Sequence, residues 1–99
     1  MTKVFPPEEK YGLTIDIRRS ANSILQNIAE GYGRFEPRDK TRFYKISRGS
    51  SYELMSQSIA SYKLGYIKEE KILEEILSET NYIIQELNSL IKSIETRIT

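Results

Sequence analysis

The stretch NIAEGYGR, residues 27–34, sets two glycines one residue apart behind an apolar helical pattern, with an arginine directly after. Gly-x-Gly beside arginine can cradle a phosphate, and glycine can equally end a helix. A phosphate-binding loop follows a strand and opens a helix, where backbone amides point at the anion. Here the glycines close a helical pattern instead, and the negative end of a helix dipole repels anions. The stretch is therefore read as a stop. Gly31 and Gly33 let the chain turn out of a helix, and Arg34 begins a basic loop.

Upstream, Ile17, Ala21, Ile24 and Ile28 recur at spacings of four, three and four, one face of an α-helix that Leu13 and Gly31 extend. Arg19, Ser23, Gln26 and Glu30 form the opposite face. The spacing predicts a helix over 15–31, with Thr14 as N-cap and Asp16 in the first turn. Proline cannot occupy a helix interior, so FPP at 5–7 makes 1–13 an extended lead-in. Downstream, RFEPRD at 34–39 reads as a loop with Asp39 as the next N-cap. A second helix is expected over 38–64, stopped by Gly65.

That second helix carries two apolar stripes. Phe43, Ile46, Leu54 and Leu64 form one and Tyr44, Met55, Ile59 and Tyr62 the other; one faces the domain's own core, and the second, taken as Tyr44, Met55, Ile59 and Tyr62, is assigned to another helix or to an oligomer interface. Gly49, Ser50 and Ser51 are poor helix formers at its middle, so either packing holds the helix through them or it breaks at Gly49. A third helix, over 69–97, opens with Glu69, Glu70, Glu74 and Glu75. Its seam steps through Ile76, Thr80, Ile83, Leu87, Leu90 and Ile94 at a period near 3.5, widened by Ile72, Ile84, Ile91 and Ile98. The fold class that follows is all-α: a single domain, 1–99, built as an up-and-down antiparallel bundle of three long helices.

Composition narrows the chemistry. The chain of 99 residues is 38% hydrophobic and 29% charged, room for one modest core. Histidine and cysteine are both absent, which removes the usual general base, the thiolate nucleophile and the commonest zinc ligands. A non-enzymatic protein without cofactor, metal or small-molecule substrate is expected. No apolar run is long enough for a bilayer and the first ten residues lack signal-peptide features, so the expected compartment is the cytoplasm. The net charge of +1 conceals a division. Residues 1–65 hold eleven Lys/Arg against seven Asp/Glu, and residues 66–99 hold four against seven. A basic half and an acidic half suit either contact with nucleic acid or assembly with copies of the same chain.

Between Tyr32 and Tyr52, basic residues alternate with aromatics. Cations neutralise phosphates and aromatic faces stack on unpaired bases, so this mixture suits a single-strand binder. The candidate contacts are Arg34, Arg38, Arg42, Lys45, Arg48 and Tyr52, with Tyr44 as a further stacking or interface residue. The plainer reading is a solvated helix face. Glu30 and Glu53 could in principle share a di-metal centre, but bundles of that kind also use histidine. Pairing with Arg18 or Arg19 is the simpler assignment.

The strings FPPEEKYGLTIDIRRSANSILQNIAEGYGR, RFYKISRGSSYEL and YKLGYI strongly resemble the four-helix-bundle proteins encoded within intervening sequences of bacterial 23S ribosomal RNA. The resemblance spans Phe5 to about Ile67 and implies an up-and-down bundle that assembles as a homopentamer. A related group, the accessory variability proteins of diversity-generating retroelements, is similar in architecture and engages nucleic acid, which supports a binding role by analogy. Two departures stand out. Leu25 replaces a usual proline, removing an expected kink, and only Met1–Val4 precede FPPEEKYGL where the family carries a whole helix. With that first helix largely absent, whether by truncation or as a real variant, a groove should lie open. Its expected wall is the Arg19/Ser23/Gln26/Glu30 face with Ile15.

Two functions follow as expectations. One is a homo-oligomeric bundle that binds RNA or DNA through the basic aromatic surface. The other is a protein–protein scaffold in which the Tyr44/Met55/Ile59/Tyr62 stripe forms the subunit interface and the basic residues only pair with the acidic third helix of a neighbour.

Overall fold

The computed structural model describes residues 7–98, with side chains over 12–97. Three helices make up the described chain: α1 (Pro7–Tyr32), α2 (Pro37–Lys63) and α3 (Glu70–Ile98). The all-α, up-and-down reading holds, and no described helix is long and apolar enough to cross a membrane.

The structure corrects the sequence reading at the start of α1 and at the N-cap of α2. α1 begins at Pro7 rather than near residue 15, so Thr14 and Asp16 lie inside the helix and residues 7–13 are not an extended lead-in. Proline at the first helical position gives up an amide that would have no partner there anyway. The remaining lead-in, residues 1–6, lies outside the described residues. α2 likewise begins on a proline. Glu36 is extended at φ −70°, ψ 124°, as a residue before proline tends to be, and Pro37 starts the helix. Asp39 is therefore a first-turn residue, 3.4 Å from the Arg42 guanidinium, and not the cap.

α2 runs unbroken through Gly49 and ends as expected at Gly65, whose φ of 85° few other residues adopt. The Gly65 amide donates to the Tyr62 carbonyl at 3.0 Å and the Tyr66 amide to the Ser61 carbonyl at 2.8 Å. Those two bonds make a Schellman cap, which satisfies carbonyls the helix end would otherwise leave open.

The helices form a flattened layer, 59 × 23 × 15 Å overall, with α2 in the middle. Among the described residues α1 and α3 have no Cα pair within 8 Å of each other. The middle helix therefore needs two packing faces, and it meets the requirement with small side chains. Ser47, Ser51 and Ser58 are fully buried. Each satisfies its hydroxyl on a carbonyl, Ser47 on Ile24 at 2.9 Å across the α1 interface and the other two on their own helix. Ser20 and Ser23 of α1 reach Gln57 and Ser50 of α2 at 2.9 and 2.7 Å. The first expected stripe of α2 is displaced by this arrangement. Ile46 is exposed and Phe43 only half-buried, because large side chains on the middle helix would hold its neighbours apart.

On α3 the buried seam is Leu73, Thr80, Ile84, Leu87, Ile91 and Ile94, rotated from the expected one. Ile76 and Ile83 fall at its margin, and Ile72 and Leu90 are exposed. The cluster around Tyr44, Leu87, Ile91 and Ile94, with Ile28 and Ile83 packed against it, is the centre of the core.

Candidate nucleic-acid interface

The antiparallel hairpin of α1 and α2 brings Tyr32, Arg34, Phe35 and Arg38 to one end of the layer. The hairpin is held tightly. Gly31 lies within the last turn of α1 with a negative φ, and a Cβ there would stand 2.6 Å from the Tyr44 ring. Its missing side chain thus admits the core tyrosine rather than releasing the helix. The turn comes at Gly33, whose amide still donates to the Ala29 carbonyl at 3.1 Å.

Lys40 closes the same corner. Its ammonium donates to the Gly31 and Tyr32 carbonyls at 3.2 and 3.0 Å, where the α1 dipole is negative. A cation capping a neighbouring helix has no sequence signature beyond its charge.

Arg38, Arg42, Lys45 and Tyr52 follow helical spacing along the outward face of α2, and all four are exposed. Arg34 joins them from the turn: the Arg34 and Arg42 guanidiniums lie over the Phe43 ring at 4.8 and 4.3 Å from its centroid. Arg34 also pairs with Glu30 at 3.0 Å. Phe43 is thereby occupied and the Lys40 ammonium lies over the Tyr32 ring at 5.9 Å from its centroid, although Tyr32, Phe35 and Tyr52 present 81, 96 and 55% of their surface to solvent. Arg38 has no ion-pair partner among the described residues.

Toward α3 the basic residues are engaged. Lys45 meets Glu95 at 2.7 Å, and Arg48, half-buried, donates to the Asn88 side-chain oxygen at 2.8 Å. The Lys45 pair is about half exposed and contributes little stability, roughly 0–1 kcal/mol, so another anion can compete for it. Arg48 is held by the fold more than it is offered to a ligand.

The residues assigned to an interface have a different fate. Tyr44 is 4% exposed and packs on Leu87, Ile91 and Ile94 of its own chain, so it is unavailable for stacking or for another subunit. Burial, and secondarily the nearby Tyr32, raises its hydroxyl above the usual phenol range. Met55 and Tyr62 share its face of α2 and are half-buried, and Ile59 at the edge is 36% exposed. For Tyr44 the partner within the chain is α3.

Comparison with known proteins gives one clear result. The family model described as 23S rRNA-intervening sequence protein matches residues 1–89 of this chain. No curated protein matches it. The match spans nearly the whole sequence, and the chain belongs to that family.

Proposed function

We propose that this member of the 23S rRNA-intervening sequence protein family is a non-enzymatic, self-associating bundle that binds RNA or DNA along the outward face of α2. The observation that carries the reading is the exposed row Arg38, Arg42, Lys45 and Tyr52, continued at the hairpin by Arg34, Tyr32 and Phe35. Guanidiniums and an ammonium spaced along one helix face can neutralise successive phosphates, and exposed rings beside them can stack on unpaired bases. A cytoplasmic location suits such a ligand.

The test is a titration against single- and double-stranded RNA at two salt concentrations. Binding should weaken steeply with salt, and Arg38→Glu with Arg42→Glu should abolish it while leaving helicity unchanged. No binding at low salt, or binding indifferent to salt, would overturn the proposal.

The second reading, a scaffold without nucleic-acid binding, is favoured by one specific observation: Lys45 and Arg48 are already engaged by Glu95 and Asn88 of α3. It predicts that the double substitution changes no nucleic-acid affinity because none exists. The copy number of five implied by the family resemblance is a separate expectation, read by solution mass.

A further inference from the structure

The two broad faces of the layer differ in chemistry. On one, Ile28 of α1 faces Ile83, Leu87 and Leu90 of α3 across an open cavity of about 530 Å³. The other is polar. Of the wall expected from sequence, Ile15, Arg19, Ser23 and Gln26 line an open groove of about 430 Å³ on α1, while Glu30 pairs with Arg34 instead.

The basic row of α2 does not end at the edge of that helix. Asn88 and Glu95 lie across the buried α3 seam from Ile83 and Leu90, away from the apolar cavity. There a groove of about 360 Å³ opens between α2 and α3, with Arg48 on one wall and Asn88, Lys92 and Glu95 on the other, over buried Ile91. Lys45 meets it from the row, its ammonium 2.7 Å from the Glu95 carboxylate.

Charge in this groove is out of balance: Lys45, Arg48 and Lys92 stand against one carboxylate. Arg48 is fixed by a neutral partner, the Asn88 oxygen at 2.8 Å, so its charge is held in place and not cancelled. Lys92 has no ion-pair partner among the described residues. Glu95 is therefore the single anion in the groove, and it sits on an exposed, weak pair.

We infer that this groove binds a phosphate group, with Arg48 and Lys92 as its contacts and Glu95 as the internal anion that the phosphate displaces from Lys45. A phosphate presents several charged oxygens to donors arriving from two helices, whereas Glu95 engages Lys45 alone. The groove's role rests on the nucleic-acid binding proposed above and deepens it. The strand crosses from α2 onto α3, and Glu95 sets how tightly it is held. Lys92 belongs to the acidic part of the chain, so charge balance along the sequence hides it.

The experiment is fluorescence anisotropy of a labelled single-stranded RNA at several salt concentrations, with helicity followed by circular dichroism. Glu95→Gln should tighten binding about three- to tenfold by removing the competing carboxylate. Lys92→Gln should weaken it by a similar factor and lower the salt slope by roughly 0.7. Glu79→Gln and Lys71→Gln make the same changes in net charge about 24 and 31 Å further along α3, beyond a Debye length, and should leave affinity within about twofold. Equal effects at the groove and at these distant positions overturn the groove while nucleic-acid binding stands. If no RNA binds at low salt, the nucleic-acid reading falls. The groove then stands only if inorganic phosphate at constant ionic strength raises the melting temperature of the wild type and not of Lys92→Gln; without that difference both fall.

Discussion

Gly31 shows how one missing methyl can govern a corner of the fold. The Tyr44 ring occupies the space a Cβ would need, at 2.6 Å, and the ring belongs to the main core cluster. Gly31→Ala should cost about 1–3 kcal/mol through overpacking, measured by urea denaturation. Combined with Tyr44→Leu, the two losses should be non-additive, since each relieves part of the other's strain. The same tyrosine makes stability depend on alkaline pH. Its hydroxyl is raised above the ordinary value near 10, so the fold prefers the neutral form. The unfolded chain loses that proton first as pH rises through the ordinary value, and stability falls from there until the folded hydroxyl has also ionised. Tyr44→Phe should remove this component, so its stability relative to wild type should rise between pH 9 and 11. An unchanged difference across that range would show that Tyr44 ionises normally.

At the scale of the element, the glycines of α2 have opposite meanings. A Cβ at Gly49 would meet nothing within 4 Å, and the residue is exposed in mid-helix. Gly49→Ala should stabilise the protein by about 0.5–1 kcal/mol, the ordinary helix-propensity gain. Gly65→Ala should destabilise it by about 1 kcal/mol, because the positive φ of the Schellman cap is costly for alanine. Paired thermal melts of the two variants would check both signs at once. The end of α2 was legible in sequence because the requirement is local: a left-handed residue must follow the last turn. The start of α1 was misplaced because proline was read as a breaker, although at a first helical position it is tolerated or preferred, and the cap of α2 was given to Asp39 when Pro37 already opens the helix.

For the whole molecule, the decisive feature is that the middle helix has two neighbours and the outer two have one each. That explains why serines fill the middle of the layer while isoleucines and leucines remain exposed on α1 and α3. It also divides the basic residues, leaving Arg38 to solvent and Arg42 with only its neighbours Asp39 and Phe43 on the same helix, and engaging Lys45 and Arg48 with α3. Arg38→Glu should therefore change thermal stability by less than about 0.5 kcal/mol, and Arg48→Ala should cost more by releasing Asn88, measured by the same melts.

Periodicity along the chain determined that this protein is helical, how many long helices it has, where α2 ends, and which residues could form a basic aromatic surface. NIAEGYGR also identified the family, which nearly the whole chain matches. These properties depend on neighbours within a turn or two, and sequence order displays them directly. Tertiary structure alone decided that Gly31 makes room for Tyr44, that Lys40 caps α1, that the α3 seam is rotated, and which side of the layer lies open. Each of these depends on a side chain arriving from another helix, and the crossing that brings it is set by packing and not by the spacing of residues along one helix.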